Sequence, residues 1–243
     1  MKTLTALIPF FNEERTLGEL VRQLNALPQG VLTECVFIND GSTDSSLNVL
    51  REALLEAHFK SQIISKKNEG KASAIREGSK LLETSHAVIL DSDLEYSVND
   101  IQSLWQVVLS SKSDYVFGYR KFYSHTSFTW RYSRGNQIIS NIYGFLFNEV
   151  ITDIMSGYKL IPSREFKNLP FKYKNFGIEV ELPMRMWELG VRPYEIEISY
   201  SPRSREEGKS ITVKDAISTI SIMLLFRLTH KKKLKTTTQF FIN

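Results

Sequence analysis

The chain has 243 residues, 42% of them hydrophobic, and a formal net charge of +4. This length suits one α/β domain with a C-terminal extension, and so small a net charge gives no indication of a nucleic-acid partner. The single cysteine, Cys35, excludes an internal disulfide and fits a reducing cytosol. No apolar segment reaches the roughly 20 residues that cross a bilayer, so we expect no membrane-spanning helix.

The first half of the chain alternates strand and helix patterns. Short apolar runs predict strands over residues 5–10, 35–38, 61–65, 87–90 and 115–118. Apolar residues at helical spacing predict helices over residues 17–24 with Asn12 as the cap, 44–57 with Leu55 inward, 71–82, and from Ile101 after a capping box at 97–100. These repeated units predict an α/β, Rossmann-like fold with a mostly parallel sheet and helices on both of its faces.

Two tryptophans and one charged pair complete the prediction of the helices. Trp105 and Trp187 lie on apolar helix faces, where we expect them in the core rather than at a ligand surface. The helix predicted over residues 179–189 carries Glu181 and Arg185 at helical spacing, which we interpret as a solvated ion pair.

Polar side chains follow three of the predicted strands at the point where each strand ends. Asn12 and Glu13 follow the first strand, Asp40 the second, and Asp91 and Asp93 the fourth. Open α/β sheets bind their ligands at the carboxyl ends of the strands. The sequence therefore predicts a ligand site at this edge of the sheet.

The segment Asp91-Ser92-Asp93 suggests a metal site there. Two carboxylates at the mouth of a sheet suit Mg²⁺ or Mn²⁺, which usually keeps coordination places for substrate phosphates. Alternatively, both residues end a strand and cap the next helix. The other polar strand ends favour the metal. Asp40, in the turn at residues 39–42, has the same two interpretations: it shapes the turn, faces the pocket, or does both.

Missing motifs narrow the class of ligand. The sequence has neither a Gly-x-x-x-x-Gly-Lys-Ser/Thr loop nor a Gly-x-Gly-x-x-Gly turn after the first strand. A P-loop nucleotidase and a dinucleotide oxidoreductase are thereby disfavoured. The sequence also lacks a Cys/His cluster for zinc. A nucleoside diphosphate held through a metal is the ligand that remains.

Several short motifs follow one another along the chain, at residues 8–13, 39–44, 68–71 with Gly78, 91–95, 118–120, 153–160 and 205–210. In this order they resemble the motifs of the family 2 glycosyltransferases of the GT-A fold, close to dolichyl-phosphate mannose synthase and the bacterial polyprenyl-phosphate glycosyltransferases. The resemblance spans roughly residues 3–215 and depends on the order of the motifs.

The resemblance implies a role for each matching residue. The base and ribose of a nucleotide sugar are expected to contact Pro9, Asn12, Glu13 and Asp40, with Lys71 near the diphosphate. The Mg²⁺ or Mn²⁺ ion is expected to be coordinated by Asp91, which also adjoins the donor, together with Asp93 and Glu95. Arg120 is expected to face the phosphates of donor or acceptor, and Asp153 to orient or deprotonate the acceptor. Contact with a phosphate is expected of Arg205 and Lys209.

The implied reaction is metal-dependent, inverting transfer of a sugar from a nucleoside diphosphate to a polyprenyl (dolichyl-type) phosphate. A phosphate acceptor is already an anion and needs cationic positioning more than a base, whereas a hydroxyl acceptor needs a general base. Three alternatives remain: a glycan or other hydroxyl acceptor in cell-surface polysaccharide synthesis, an inactive sugar-nucleotide-binding subunit, and a metal-dependent nucleotidyltransferase.

The last part of the chain suggests a lid and a membrane contact. Residues 201–210 are either a lid over the donor phosphates or a solvated connector, and we place a domain boundary between residues 1–210 and 211–243. Residues 211–228 form an amphipathic helix, followed by Lys231, Lys232, Lys233 and Lys235. This helix either docks on the domain or binds anionic lipid, which predicts a peripheral protein on the cytoplasmic membrane face. A membrane-protein partner and a homo-oligomer are also compatible with the sequence.

Overall fold

The structure is a computed structural model that describes residues 1–121, 130–173, 177–201 and 213–232. These residues include seven strands: β1 (Leu4–Phe10), β2 (Glu34–Asn39), β3 (Lys60–Ser65), β4 (His86–Ile89), β5 (Val116–Arg120), β6 (Lys159–Pro162) and β7 (Tyr194–Ile198). They also include eight α-helices: α1 (Leu17–Asn25), α2 (Ser46–Ala53), α3 (Lys71–Ser79), α4 (Asp100–Leu109), α5 (Trp130–Phe147), α6 (Ser163–Asn168), α7 (Gly177–Glu188) and α8 (Val213–Thr229).

The strands form one sheet in the order β3-β2-β1-β4-β6-β5-β7. Only β6 runs antiparallel to its neighbours, β4 and β5. The predicted mostly parallel sheet is therefore confirmed, and β1 through β5 match the five predicted strands. Strands β6 and β7 were not predicted from the sequence.

Helices cover both faces of the sheet, as predicted. Successive residues of β1 face opposite sides, because side chains alternate along a strand. Leu7 packs in the core with Trp187 and Phe226, whereas Ile8 packs with Trp105 in the core on the other face. Both tryptophans are buried, which confirms their predicted place in the core.

Two of the predicted helix caps are wrong. Helix α1 has Thr16, not Asn12, at its N-cap, and Asn12 adopts a left-handed backbone with φ of 55°. Its side chain instead accepts a hydrogen bond from Thr43 N at 2.8 Å. The N-cap of α4 is Asn99, without a side-chain cap bond, and Asp100 Oδ2 accepts from Ser199 N at 2.7 Å. In both cases a loop distant in sequence uses the polar group that local spacing assigned to the helix.

Two predicted side-chain orientations are also wrong. Helix α2 ends at Ala53, and the 3₁₀ turn that follows leaves Leu55 86% exposed instead of inward. Glu181 is fully buried because α7 lies inside the domain, and it accepts hydrogen bonds from the backbone N–H groups of the preceding loop. Arg185 pairs with Glu188 at 2.6 Å rather than with Glu181.

Helix α8 packs against α5 and α7 through one face. Met223 and Phe226 are buried there, and Arg227 Nε donates to the carbonyl oxygen of Leu146 at 2.9 Å. The opposite face exposes Ile217, Leu224, Leu225 and Leu228. The predicted domain boundary at residues 210 and 211 lies outside the described residues.

Within the described parts of the chain, no helix combines the length and apolar character needed to cross a membrane.

Candidate active site

The carboxyl ends of β1, β2 and β4 meet at one edge of the sheet. Parallel pairing of β1 with both neighbours aligns their ends, so that Asp40 N donates to the carbonyl oxygen of Phe10 at 2.9 Å. The next loop is joined to the same edge, because Ser92 Oγ donates to the carbonyl oxygen of Pro9 at 3.1 Å. The structure thus brings together the predicted site residues that follow these three strands.

Asn12 and Glu13 connect the loop after β1 to the loop after β2. Ser42 Oγ accepts from Asn12 N at 3.0 Å, while Asn12 Oδ1 accepts from Thr43 N. Glu13 N donates to Ser46 Oγ at 2.7 Å. These bonds fix the geometry of the predicted base- and ribose-binding edge.

Asp40 holds the segment that leads into α3. Its carboxylate is almost fully buried and accepts from Gly70 N at 2.8 Å, from Glu69 N at 3.1 Å and from Lys66 Nζ at 2.8 Å. Gly41 allows this close approach: it has a φ of 75°, and a Cβ there would lie 2.7 Å from Asn68 N. In this structure Asp40 therefore positions Lys71 at the start of α3, and its contact with a nucleotide stays a prediction.

Asp91 lies in a cluster of charged groups at the end of β4. Lys71 Nζ is 2.6 Å from Asp91 Oδ1 and 2.9 Å from Glu179 Oε1 on α7. Burial alone would lower the pKa of Lys71, but these two carboxylates outweigh it and raise that pKa, which keeps the side chain an ammonium. A Cβ on Gly157 would lie 2.6 Å from Asp91 Oδ2, so the second oxygen packs directly against this glycine.

Asp93 and Glu95 complete the segment after β4, but they have different neighbours. Asp93 Oδ1 accepts from Glu95 N at 3.1 Å. Glu95 Oε2 accepts from the hydroxyl of Tyr200 at 2.7 Å, which directs this carboxylate toward the end of β7. Across the described part of the chain, no three acidic, histidine or cysteine side chains gather closely enough to hold a metal.

Asp91 and Asp93 carry ligand atoms that suit a divalent cation. Their ligand atoms are the carboxylate oxygens that Mg²⁺ and Mn²⁺ prefer. Asp91 already binds one cation, the ammonium of Lys71, and its side chain stays 21% exposed. Two protein carboxylates leave further coordination places to the phosphates of a donor, and Glu95 stays a predicted third ligand.

Arg120 and Asp153 form a buried ion pair at the end of β5. Arg120 Nε donates to Asp153 Oδ2 at 2.6 Å, and Arg120 Nη2 donates to Asp153 Oδ1 at 2.9 Å. Both residues are at least 96% buried. The guanidinium also lies over the ring of Tyr200, 4.9 Å from its centroid. Asp153 is thus a carboxylate whose two oxygens both orient an arginine.

The loop over residues 153–157 connects this pair to Asp91. Lys159 lies beneath the loop, fully buried, and its Nζ donates to the carbonyl oxygens of Ile154 and Ser156. Burial lowers the pKa of Lys159 to about 8, although the nearby carboxylates of Glu179 and Asp153 oppose this shift. On its outer side, Gly157 N donates to the hydroxyl of Tyr96 at 3.0 Å.

The chain matches the family model described as Glycosyl transferase family 2 over residues 5–173, well over half of its length. The chain belongs to this family. It is therefore a glycosyltransferase, and the resemblance inferred from its motifs is confirmed.

Two curated proteins are similar in sequence to this glycosyltransferase. Glycosyltransferase AglJ of Haloferax volcanii is 26% identical to it over 199 residues, covering 81% of this chain and 62% of AglJ. The undecaprenyl-phosphate 4-deoxy-4-formamido-L-arabinose transferase of Salmonella paratyphi A is 34% identical over 109 residues, covering 43% of this chain and 33% of that protein. This chain thus spans only part of the length of both relatives.

The fold agrees with a crystal structure of glucosyl-3-phosphoglycerate synthase from Mycobacterium tuberculosis, in complex with Mn²⁺, UDP and phosphoglyceric acid. The TM-score is 0.73 at 18% identity, with 95% of this chain and 80% of that chain covered. The two proteins share the GT-A fold.

Some residues of this glycosyltransferase site were predicted and others were missed. Arg205 and Lys209 lie outside the described residues, so their roles stay predictions. Sequence reasoning assigned no role to Lys159, Glu179, Tyr96 or Tyr200. The first two carried a usable signal, because each is a charged residue inside an apolar run, Tyr158 to Ile161 and Ile178 to Leu182.

Proposed function

We propose that this glycosyltransferase transfers a sugar from a nucleoside-diphosphate donor to the phosphate of a polyprenyl (dolichyl-type) phosphate, with inversion at the anomeric carbon. The supporting observation is the bidentate pair of Arg120 and Asp153, which is buried and uses both carboxylate oxygens. The name of the Salmonella relative, an undecaprenyl-phosphate sugar transferase, agrees with a polyprenyl-phosphate acceptor.

The pair favours a phosphate acceptor over a hydroxyl acceptor. A hydroxyl nucleophile needs a general base within hydrogen-bond reach, and Asp153 is the candidate at this position. Both of its oxygens are directed at Arg120 instead. A phosphate monoester needs no base, because it is already ionised near neutral pH. We infer that Asp153 orients Arg120 and that the cationic side chains Arg120, Arg205 and Lys209 position the phosphate.

The donor lies at the edge formed by the loops after β1, β2 and β4. Asn12, Glu13 and Pro9 contact its base and ribose, and Lys71 lies near its diphosphate. Asp91 and Asp93 hold Mg²⁺ or Mn²⁺, which, when bound, neutralises charge on the departing nucleoside diphosphate. Three observations support this arrangement: the joined loops, the cationic neighbour of Asp91 and the partial exposure of the Asp91 side chain.

We also propose that α8 contacts the cytoplasmic face of the membrane in which the acceptor lies. The exposed face of α8 is apolar, and Lys231 and Lys232 follow its end. An apolar helix face next to basic residues binds anionic membranes peripherally. A membrane-protein partner or a second copy of the chain would be compatible with the same surface.

The acceptor is tested with matched pairs of compounds. The purified 243-residue chain is incubated with Mn²⁺, radiolabelled UDP-, GDP- or dTDP-sugars, and either a short polyprenyl phosphate or the corresponding polyprenol. We expect a labelled lipid product with the phosphate and none with the alcohol, and loss of the product with EDTA. Transfer to the polyprenol or to a glycan acceptor, with none to the phosphate, would show that the acceptor assignment is wrong.

A further inference from the structure

Glu179 lies beside the candidate metal site although it belongs to none of the motifs at the strand ends. It stands on α7, 108 residues after Lys71, and only 5% of its side chain is exposed. Its Oε1 accepts a hydrogen bond from Lys71 Nζ at 2.9 Å. Its Oε2 is buried without a hydrogen-bond partner among the described residues. Burial of a carboxylate with an unpaired oxygen is costly, so this arrangement calls for a function.

Lys71 is shared between two carboxylates that differ in accessibility. Its Nζ lies 2.6 Å from Asp91 Oδ1 and 2.9 Å from Glu179 Oε1. The side chain of Asp91 is 21% exposed, whereas that of Glu179 is 5% exposed. A cation entering from the cleft therefore reaches Asp91 and not Glu179. To coordinate Asp91 Oδ1, that cation has to displace the ammonium of Lys71.

We propose that Glu179 is a positioning residue that receives Lys71 when a divalent cation takes its place on Asp91. An ammonium has three N–H donors, and the unpaired Oε2 of Glu179 offers it a second acceptor after Asp91 is lost. Lys71 would then lie on the buried side of the cluster. This inference rests on the proposed metal site at Asp91.

The exchange makes metal binding depend on Glu179. With Glu179 present, displaced Lys71 keeps a charged partner in a partly buried site. With a neutral amide at this position, displacement would leave a buried ammonium without a carboxylate, which is strongly unfavourable. Lys71 would consequently remain on Asp91 and compete more strongly with the metal.

Mn²⁺ binding to the full chain, measured by electron paramagnetic resonance without donor or acceptor, tests this exchange. We expect Glu179→Gln to weaken Mn²⁺ binding about tenfold and Lys71→Met to strengthen it, because the competing cation is removed. In the Lys71→Met background, Glu179→Gln should then have little effect. Glu179→Asp keeps the charge and should retain most of the wild-type affinity.

Glu188→Gln is the matched control, since Glu188 lies on the same helix and pairs with Arg185 at 2.6 Å. Its Mn²⁺ affinity should equal that of the wild type. Thermal unfolding identifies any variant that fails to fold, and Glu179→Asp then carries the comparison. Equal weakening by Glu179→Gln in both backgrounds would indicate only a general charge effect and would overturn the exchange, as would no weakening at all.

The outcome is separable from the acceptor assignment, because Mn²⁺ binding needs neither sugar nor lipid. Failure of transfer to polyprenyl phosphate, with the expected binding cycle intact, would reject that acceptor and leave the exchange standing. A wild-type chain that binds no Mn²⁺ would reject both the metal site and the exchange.

Discussion

At the scale of single residues, one close contact of the site depends on the absence of a side chain at Gly157. Gly157 brings the loop over residues 153–157 against Asp91, and a Cβ at this position would lie 2.6 Å from Asp91 Oδ2. It would also lie 3.4 Å from Lys71 Nζ and from the ring of Tyr96. The loop that carries Asp153 and the segment that carries Asp91 therefore share a boundary with no spare space.

Gly157→Ala should disturb the site more than the fold. The methyl group would push the Asp91 carboxylate off its present position, because a contact this short is not tolerated. We expect transfer activity to fall at least about tenfold and Mn²⁺ affinity to fall with it, since metal sites depend on ligand placement within about 0.5 Å. Transfer assays and Mn²⁺ titration measure the two effects.

Gly135→Ala is the matched control for this substitution. Gly135 lies in α5, and a Cβ there meets no atom of the described residues within 4 Å. Alanine should stabilise the helix by about 0.5–1 kcal/mol without changing activity. Full activity of Gly157→Ala, with unchanged Mn²⁺ affinity, would contradict the role assigned to the close contact at Asp91.

Sequence reasoning located the residues at strand ends and missed those that come from elsewhere in the chain. Asp91 and Asp93 were predicted because an apolar strand leads directly to them, and parallel strands share one carboxyl edge. Glu179 reaches the same site from a helix distant in sequence, a placement that no local spacing encodes. Asp40 was predicted as a site residue, but its inward hydrogen bonds to the loop before α3 became visible only in three dimensions.

At the scale of elements, sequence patterns predicted β1 through β5 and failed for the strands that complete the sheet. β6 is four residues long, runs antiparallel and contains the buried cation Lys159. Such a segment has neither the alternation nor the continuous apolar run by which strands are recognised. Its lysine is nevertheless accommodated, because two carbonyl oxygens of the preceding loop accept its hydrogen bonds.

One side of helix α8 is buried in the domain core, and the other side is exposed at the surface. Phe226 is fully buried and packs near Phe147, with their ring centroids 6.3 Å apart. We expect Phe226→Ala to destabilise the protein by about 3–5 kcal/mol, the usual cost of removing a buried aromatic ring. Leu228→Ala, at a position 84% exposed, should change stability by less than about 0.5 kcal/mol. Urea unfolding of both variants measures the difference, and equal stabilities would show that α8 is not packed as described.

At the scale of the whole molecule, α8 has its C-terminal end at the edge of the sheet opposite the site. It follows β7, which ends at the site edge, and residues beyond it meet the far end of α5, where Lys232 pairs with Glu149. Arg192, just before β7, lies against the same glutamate at 3.6 Å. With 17 residues the helix is about 25 Å long. The exposed face of α8 and the basic residues that follow it can therefore contact the same membrane surface.

Both parts of this surface should contribute to membrane binding. The exposed leucines bury apolar area in the interface, and each lysine near an anionic surface adds about 1 kcal/mol. We expect the chain to sediment with liposomes that contain anionic lipid, and high salt should reduce the bound fraction because screening weakens the lysine contribution. Replacement of Lys231, Lys232, Lys233 and Lys235 by Gln should weaken binding and remove most of its salt dependence.

Replacement of the exposed leucines provides the complementary measurement. Leu224, Leu225 and Leu228 are between 44% and 84% exposed, so their change to Ser should leave the fold intact. That variant should bind liposomes more weakly but keep the salt dependence of the wild type, because its lysines remain. If the wild type stays in the supernatant with anionic liposomes at low salt, α8 is not the membrane contact. The acceptor lipid would then have to be presented to the site edge by another membrane protein.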